Sequence, residues 1–306
     1  MLLSPRTALW LTAALLAGPA APWAVAQDSL PTGIERMGTL RDPRLRESSG
    51  IAVSRAHPGV LWTHNDSGDS ATVYAINLAG DLLAVYRVPG ASAFDWEDVA
   101  LAPCPAQPGD CLFIADTGDN SERRKTPVIY VFPEPRPPAP HTRPDTLSTG
   151  RARALRVRYP DGPHDVEALA VDRRGNALLI SKGRTGPIRV YRLPRAAFAG
   201  DSAVAVLVDT LSIVPQPTMG RWVTGAAFSP SGNRLVVRTY TELYFLRPQK
   251  DGRFRPDGPA CWLGAVEPQG EAVGFLDERR VVLTSESLPN QLGPVLRVSC
   301  ERRKTP

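Results

Sequence analysis

One four-part unit recurs five times along this chain, and that repetition limits the possible folds more than composition does. Each unit opens with a small-residue and apolar segment: SGIAVS 49–54, EDVALA 97–102, EALAVD 167–172, TGAAFS 224–229 and EAVGFL 271–276. A second apolar run follows: GVLWTH 59–64, CLFIAD 111–116, ALLISK 177–182, RLVVRT 234–239 and RVVLTS 280–285. A third comes next: TVYAINL 72–78, VIYVFPE 128–134, IRVYRLP 188–194, ELYFLRP 242–248 and PVLRVSC 294–300. Four of the units add a fourth: LLAVYRV 82–88, RALRVRY 153–159, AVLVDTL 205–211 and ACWLGAV 260–266. The runs are short and bounded by Gly, Pro, Asp or Asn, the pattern of strands joined by tight turns.

Tandem four-stranded units are the signature of a β-propeller. The expected fold class is therefore all-β, a propeller of five four-stranded blades. The fifth unit lacks its fourth strand, and GIERMGTL 33–40 precedes the first unit without belonging to one. Pairing that N-terminal strand with the last blade closes the ring and removes free edges. With Gly50, Asp98, Ala168, Gly225 and Ala272 taken as equivalent, the steps are 48, 70, 57 and 47 residues. The long second step has room for a sixth blade. It also carries the Pro-rich PEPRPPAPHTRPD 133–145, read as a loop insertion within one domain spanning 27–306.

The first residues read as a targeting segment. Arg6 is followed by the apolar stretch ALWLTAALLA 8–17, helix-breaking Pro19 and Pro22, and Ala24-Val25-Ala26, which fits a signal peptide of residues 1–26 cut after Ala26. No later stretch has the length of a transmembrane helix. The expected location is secreted or periplasmic, where disulfides form. Cys104 and Cys111 bracket a turn-rich hexapeptide and are expected to pair, which leaves Cys261 and Cys300 for each other. The spacing of cysteines and histidines does not fit a zinc site. The net charge is +5, but the basic residues are scattered and not interleaved with aromatics, so nucleic acid is not an expected partner. A monomer with an unidentified small-molecule or protein ligand is expected.

In a propeller the first strand of each blade lines the central channel, so equivalent residues at its start crowd around one axis. The residues just before the five anchors are Ser49, Glu97, Glu167, Thr224 and Glu271. At the end of the second strand stand Asn65, Asp116, Lys182, Thr239 and Ser285, with Asp66 and Glu286 one residue beyond two of them. Converging carboxylates repel unless something compensates them. A hard cation such as Ca²⁺ could, since it takes six to eight oxygen ligands. Lys182 could do so as an internal base, and a retained proton could do so on one carboxyl. The candidate metal ligands are Glu97, Glu167, Glu271 and Asp116. The candidate ligand-binding residues are Asn65, Asp66, Lys182, Thr239 and Ser285. The competing reading is a hydrated polar channel without a site. NDSGDS 65–70 and DTGDN 116–120 fit Asx turns between strands.

The segments ESSGIA, LWTHNDSGD, DWEDVALAP, FIADTGDNSERR, YPDGPHDVEALAVD, VTGAAFSPSGNRLVVRTY and PQGEAVGF together resemble a group of secreted bacterial β-propeller proteins. The Glu followed by small and apolar residues is more distantly similar to regucalcin/gluconolactonase-like, paraoxonase, SdiA-regulated and phytase-like propellers. That resemblance implies a central Ca²⁺ held by Glu97, Glu167 and Glu271, with Ser49 and Thr224 departing from the pattern. The expected function is an exported propeller binding a divalent cation or small ligand on its axis. The alternatives are a Ca²⁺-dependent hydrolase of phosphoesters or lactones, and an interaction scaffold with no site.

Overall fold

The computed structural model describes residues 30–138, 146–216, 218 and 220–300, so the segment 1–26 read as a signal peptide and part of the Pro-rich insertion lie outside the described residues. Five antiparallel sheets form a five-bladed propeller. Blade one is β2 (Ser48–Val53), β3 (Leu61–Asn65), β4 (Thr72–Ile76) and β5 (Leu82–Arg87). Blade two is β6 (Trp96–Pro103), β7 (Asp110–Asp116), β8 (Val128–Pro133) and β10 (Arg153–Arg158). Blade three is β11 (Val166–Val171), β12 (Ala177–Ser181), β13 (Arg189–Leu193) and β15 (Val206–Thr210). Blade four is β16 (Val223–Phe228), β17 (Leu235–Thr239), β18 (Glu242–Pro248) and β19 (Phe254–Pro256). Blade five is β21 (Gln269–Phe275), β22 (Arg280–Glu286), β23 (Pro294–Ser299) and, from the N-terminus, β1 (Ile34–Thr39). The ring closes as expected, with β1 antiparallel to β23.

Three details differ from the sequence reading. The fourth strand expected at 260–266 shrinks to β20 (Cys261–Trp262), which shares β18 with β19. The long second step holds no sixth blade among the described residues. Instead it sends β9 (Thr146–Ser148) back to the edge of blade one, parallel to β5. Blade three likewise adds β14 (Ser202–Val204) to blade two, parallel to β10. Both additions cover an outer edge that would otherwise expose unpaired backbone groups. The start of the Pro-rich insertion packs rather than projects: Trp62 Nε1 donates to Glu134 Oε1 (2.8 Å) and Tyr86 Oη donates to the Arg136 carbonyl (2.7 Å).

The core is divided among the blade interfaces. Five apolar clusters fill the five gaps between neighbouring blades. Inner strands are therefore buried on both faces; β12 is apolar through Ile180 and buried along its whole length. This explains why the second runs read as continuous apolar blocks and not as alternating ones. Each fully buried Leu, Ile or Val contributes about 1.5–3 kcal/mol.

Small residues follow the axial position because the inner strands touch there. A Cβ on Gly50 would lie 2.5 Å from the Val99 amide nitrogen, and one on Gly225 would lie 2.9 Å from the Glu271 carbonyl. Asp98 breaks that small-residue rule and uses the contact. Its carboxylate accepts from its neighbour Val99 N–H (2.8 Å), from Leu169 N–H in blade three (2.9 Å) and from Ala226 N–H in blade four (3.1 Å). Polar bonds join the other gaps: Ser49 Oγ donates to the Glu97 carbonyl (2.7 Å), Thr224 Oγ1 donates to the Glu271 carbonyl (2.9 Å), and Ser48 Oγ pairs with Thr284 Oγ1 (2.8 Å). Both expected disulfides are present: Cys104–Cys111 staples a hairpin of blade two, and Cys261–Cys300 ties blade four to the end of blade five.

Two stability predictions arise from these links. Asp98→Ala leaves the buried N–H groups of Leu169 and Ala226 without acceptors and should cost about 3–5 kcal/mol in urea denaturation, at 1–3 kcal/mol per stranded group. Replacing Cys261 and Cys300 together by Ser should cost about 2–4 kcal/mol in the same assay, because their bond closes a long loop in the unfolded chain.

Candidate functional site

Each inner strand carries a register shift at its axial end. The pairing skips Glu97 between Trp96 and Asp98, Glu167 between Val166 and Ala168, Thr224 between Val223 and Gly225, and Glu271 between Gly270 and Ala272. In blade one the shift spans Ser49 and Gly50. A bulge inserts an unpaired residue and re-aims its side chain. The bulged residues are the five that the repeat places on the axis, so the local backbone turns them into one mouth.

Six carboxyls, those of Asp66, Asp95, Glu97, Glu167, Glu271 and Glu286, feel the same ammonium, that of Lys182. Lys182 follows β12, and its backbone is gripped between blades: its N–H donates to the Asp165 carbonyl (2.9 Å) and its carbonyl accepts from Val223 N–H (3.0 Å). Its Nζ donates to Glu167 Oε1 at 2.7 Å, and its charge also acts on the nearby Tyr240 hydroxyl. Burial opposes the charge on Lys182, but Glu167 overrides that and raises its pKa.

One ammonium, with the Arg124 guanidinium acting on Asp95, does not balance six carboxyls. Burial, then Glu167, Asp66 and Asp95, push Glu97 well above the usual carboxylate range. Burial and Asp165 push Glu167 up to about 8, against the pull of Lys182, and Glu97 and Glu167 are hydrogen-bonded to each other. Burial, then Glu167 and Glu286, push Glu271 well up. Gln269 Nε2 bridges Glu271 Oε1 (3.0 Å) and Glu286 Oε1 (2.8 Å). Burial and the carboxylates of Asp95 and Glu47 bring Asp66 to about 7; burial, then Asp66 and Glu47, bring Glu286 to about 7.

Two trios of carboxyls lie close enough to share an ion, with one oxygen from each within 4.8 Å of the others: Asp66–Asp95–Glu97 and Glu97–Asp165–Glu167. The second is already compensated. Lys182 holds Glu167, and Arg184 Nε lies 3.2 Å from Asp165 Oδ2. The first has no basic side chain bonded to it among the described residues, and Asp66 Oδ1 is a buried oxygen without a hydrogen-bond donor. Gly118 closes its wall, since a Cβ there would lie 2.0 Å from Glu97 Oε1 and 2.5 Å from Asp95 Oδ2. A buried oxygen lacking a donor, beside two further carboxyls and a wall with no side chain, fits a hard oxygen-seeking cation.

The remaining expected site residues face other duties. Asp116 accepts from Arg124 Nη1 (2.7 Å) and from Asp95 N–H (3.1 Å), and so braces the mouth from behind. Asn65 spends its amide on the loop of blade one: Oδ1 accepts from Glu47 N–H (3.1 Å), while Nδ2 donates to the Arg44 carbonyl (2.6 Å) and to Asp69 Oδ2 (2.7 Å). Thr239 Oγ1 accepts from Glu242 N–H (3.1 Å) in a tight turn. Ser285 Oγ donates to the Gln269 carbonyl (2.6 Å). Three participants were not singled out from sequence: Asp95, Asp165 and Tyr240. The first two had a signal. Asp95-Trp96-Glu97 and Asp165-Val166-Glu167 share a D-x-E spacing that Gln269-Gly270-Glu271 echoes with an amide.

No protein-family model matches the chain. No curated relative matches it. Among solved structures it is similar to a PQQ-bound aldose sugar dehydrogenase from Streptomyces coelicolor, at 15% identity, 89% of this chain, 100% of that one and a TM-score of 0.46. It is also similar to a glucose dehydrogenase, at 11% identity, 89% of this chain, 100% of that one and a TM-score of 0.48. A putative gluconolactonase matches at 14% identity, 89% of this chain, 96% of that one and a TM-score of 0.46. Among the described residues no helix is long and apolar enough to cross a membrane.

The raised carboxyl pKa values set the sign of the pH dependence. An acid whose folded pKa lies above its unfolded one binds protons more tightly when folded, so its contribution is full below the unfolded pKa and is lost as pH rises through the folded one. With divalent cations chelated, stability should fall between about pH 4.5 and pH 8, the window set by Asp66, Glu286 and Glu167. Glu97→Gln removes one charge from the cluster without changing its shape. It should melt a few degrees above wild type at pH 8 in EDTA, at about 2–4 °C per kcal/mol, and the two proteins should converge near pH 5.

Proposed function

We propose that this chain is an exported β-propeller that binds a divalent cation, Ca²⁺ by its ligand chemistry, at the axial mouth through Asp66, Asp95 and Glu97. The observation that carries this reading is the unbalanced trio itself. Three carboxyl groups converge with no basic side chain bonded to them, while the neighbouring trio is served by Lys182 and Arg184. Two ionised oxygens no more than 4.8 Å apart repel by at least about 3.5 kcal/mol at an effective dielectric constant near 20, and a bound cation reverses that sign. Two disulfides fit an oxidising compartment, which supports export.

A second reading is a Ca²⁺-dependent hydrolase of phosphoesters or lactones. It is favoured by Glu167, whose pKa of about 8 stands beside the cation trio. A carboxyl tuned to that range exchanges protons near neutral pH, as a general acid or base must. In that reading the cation would polarise a substrate oxygen at Asp66, Asp95 and Glu97, Glu167 would hold or accept the proton, and Lys182 and Tyr240 would fix its carboxyl.

Thermal melting separates binding from a merely hydrated channel. Ca²⁺ at about a hundredfold over its Kd should add about 2.7 kcal/mol, roughly 5–10 °C, relative to EDTA. Asp66→Asn should lose most of that shift while remaining folded. An unchanged melting temperature in wild type would exclude the cation. For the enzyme reading, a panel of lactones and phosphoesters should show Ca²⁺-dependent turnover that Glu167→Gln lowers by 10²-fold or more while the Ca²⁺ melting shift persists.

A further inference from the structure

A second feature lies at the opposite end of the propeller. The strands leave the mouth downward through the blades, and their hairpin turns gather on the far face. Between blades three and four these turns border an open cleft of about 690 Å³. Its walls carry Arg173, Arg174, Arg192 and Lys250, over a floor that includes Phe228 and Phe254. That volume falls in the usual range for small-ligand sites.

The charges here are unmatched in the opposite sense from the mouth. None of the four cationic side chains has an ion-pair partner among the described residues. The two carboxylates on the wall are committed to their own turns. Asp172 Oδ1 accepts from Arg174 N–H (2.8 Å) and Asn176 N–H (2.9 Å), and its Oδ2 accepts from Asn176 Nδ2 (2.8 Å). Asp251 Oδ1 accepts from Arg253 N–H (3.1 Å). The arginines reach across the blade gap onto glycine turns. A Cβ on Gly252 would lie 3.7 Å from Arg192 Nη1, and one on Gly232 would lie 3.7 Å from Arg173 Cδ. Any larger residue in those turns would narrow the cavity, and both glycines hold positive φ, +87° and +75°.

Planar guanidinium groups match phosphoryl oxygens in pairs, and an ammonium adds a point charge. We infer that this cleft is a binding site for a small organic phosphate carrying at least two phosphoryl groups, its carbon skeleton resting on Phe228 and Phe254. The site is independent of the cation at the mouth and lies on the other face.

Isothermal titration of the full-length mature protein with fructose bisphosphate, in EDTA and at low ionic strength, tests this. EDTA removes any cation at the mouth that could recruit phosphate, so failure here leaves the mouth reading untouched. Binding is expected for wild type, should weaken about tenfold or more in Arg192→Ala/Lys250→Ala, and should stay within about twofold in Arg41→Ala/Arg151→Ala, which removes the same charge elsewhere. Absence of heat with wild type would overturn the inference. So would equal weakening in both double variants, which would mean that net charge alone attracts the probe, or equal binding of unphosphorylated fructose.

Discussion

Five strands cannot converge on one axis without deciding what stands at the centre, and here the decision falls on a β-bulge repeated in every blade. The bulge detaches one residue from the ladder and turns it inward, while the next residue is small enough for the neighbouring strand to pass in every blade but the second, where Asp98 stands. The same device creates close packing below and crowded carboxyls above. Asp98 shows how tight the centre is, since one side chain bonds backbone in blades three and four as well as its own. The crowding at the mouth is therefore a consequence of ring closure plus the choice of Glu in three blades, and burial first, then mutual repulsion, shifts the axial carboxyls upward together.

Much of this was legible in the sequence because it is periodic. The five small-apolar openings fix the inner strands. The orphan strand at 33–40 fixes ring closure, and the polar residue before each anchor, Glu in three blades and Ser49 or Thr224 in the others, marks the axial residue. Lys182 was legible as the one base at a strand end facing acids, and it does reach Glu167. What periodicity could not convey is direction at the strand ends. Asn65, Thr239 and Ser285 are polar at equivalent places, yet each closes its own hairpin or loop, because the bulge changes the phase between the two strands it joins. Asp98 entered the repeat only as the anchor of the second unit; its partners lie 71 and 128 residues away, which no local pattern reveals. Asp95 was obscured in the same way, although its D-x-E spacing recurs at Asp165.

The two ends of the propeller carry opposite imbalances. At the mouth, buried acids outnumber the single ammonium. On the far face, four basic side chains surround a cleft whose acids are spent on turns. Glu97 stands near the start of β6, while Asp66 and Asp95 lie on the segments beside it; Asp116, itself paired with Arg124, holds the Asp95 backbone, and Gly118 closes the wall.

The central claim is that Asp66, Asp95 and Glu97 form a cation site while Glu167 and Asp165 are satisfied by Lys182 and Arg184. Anomalous diffraction from crystals soaked in a lanthanide that substitutes for Ca²⁺ addresses it directly. The account predicts a single strong peak among the three carboxylates of Asp66, Asp95 and Glu97, absent in Glu97→Gln. A mouth without a peak, or a peak beside Lys182 instead, would contradict it.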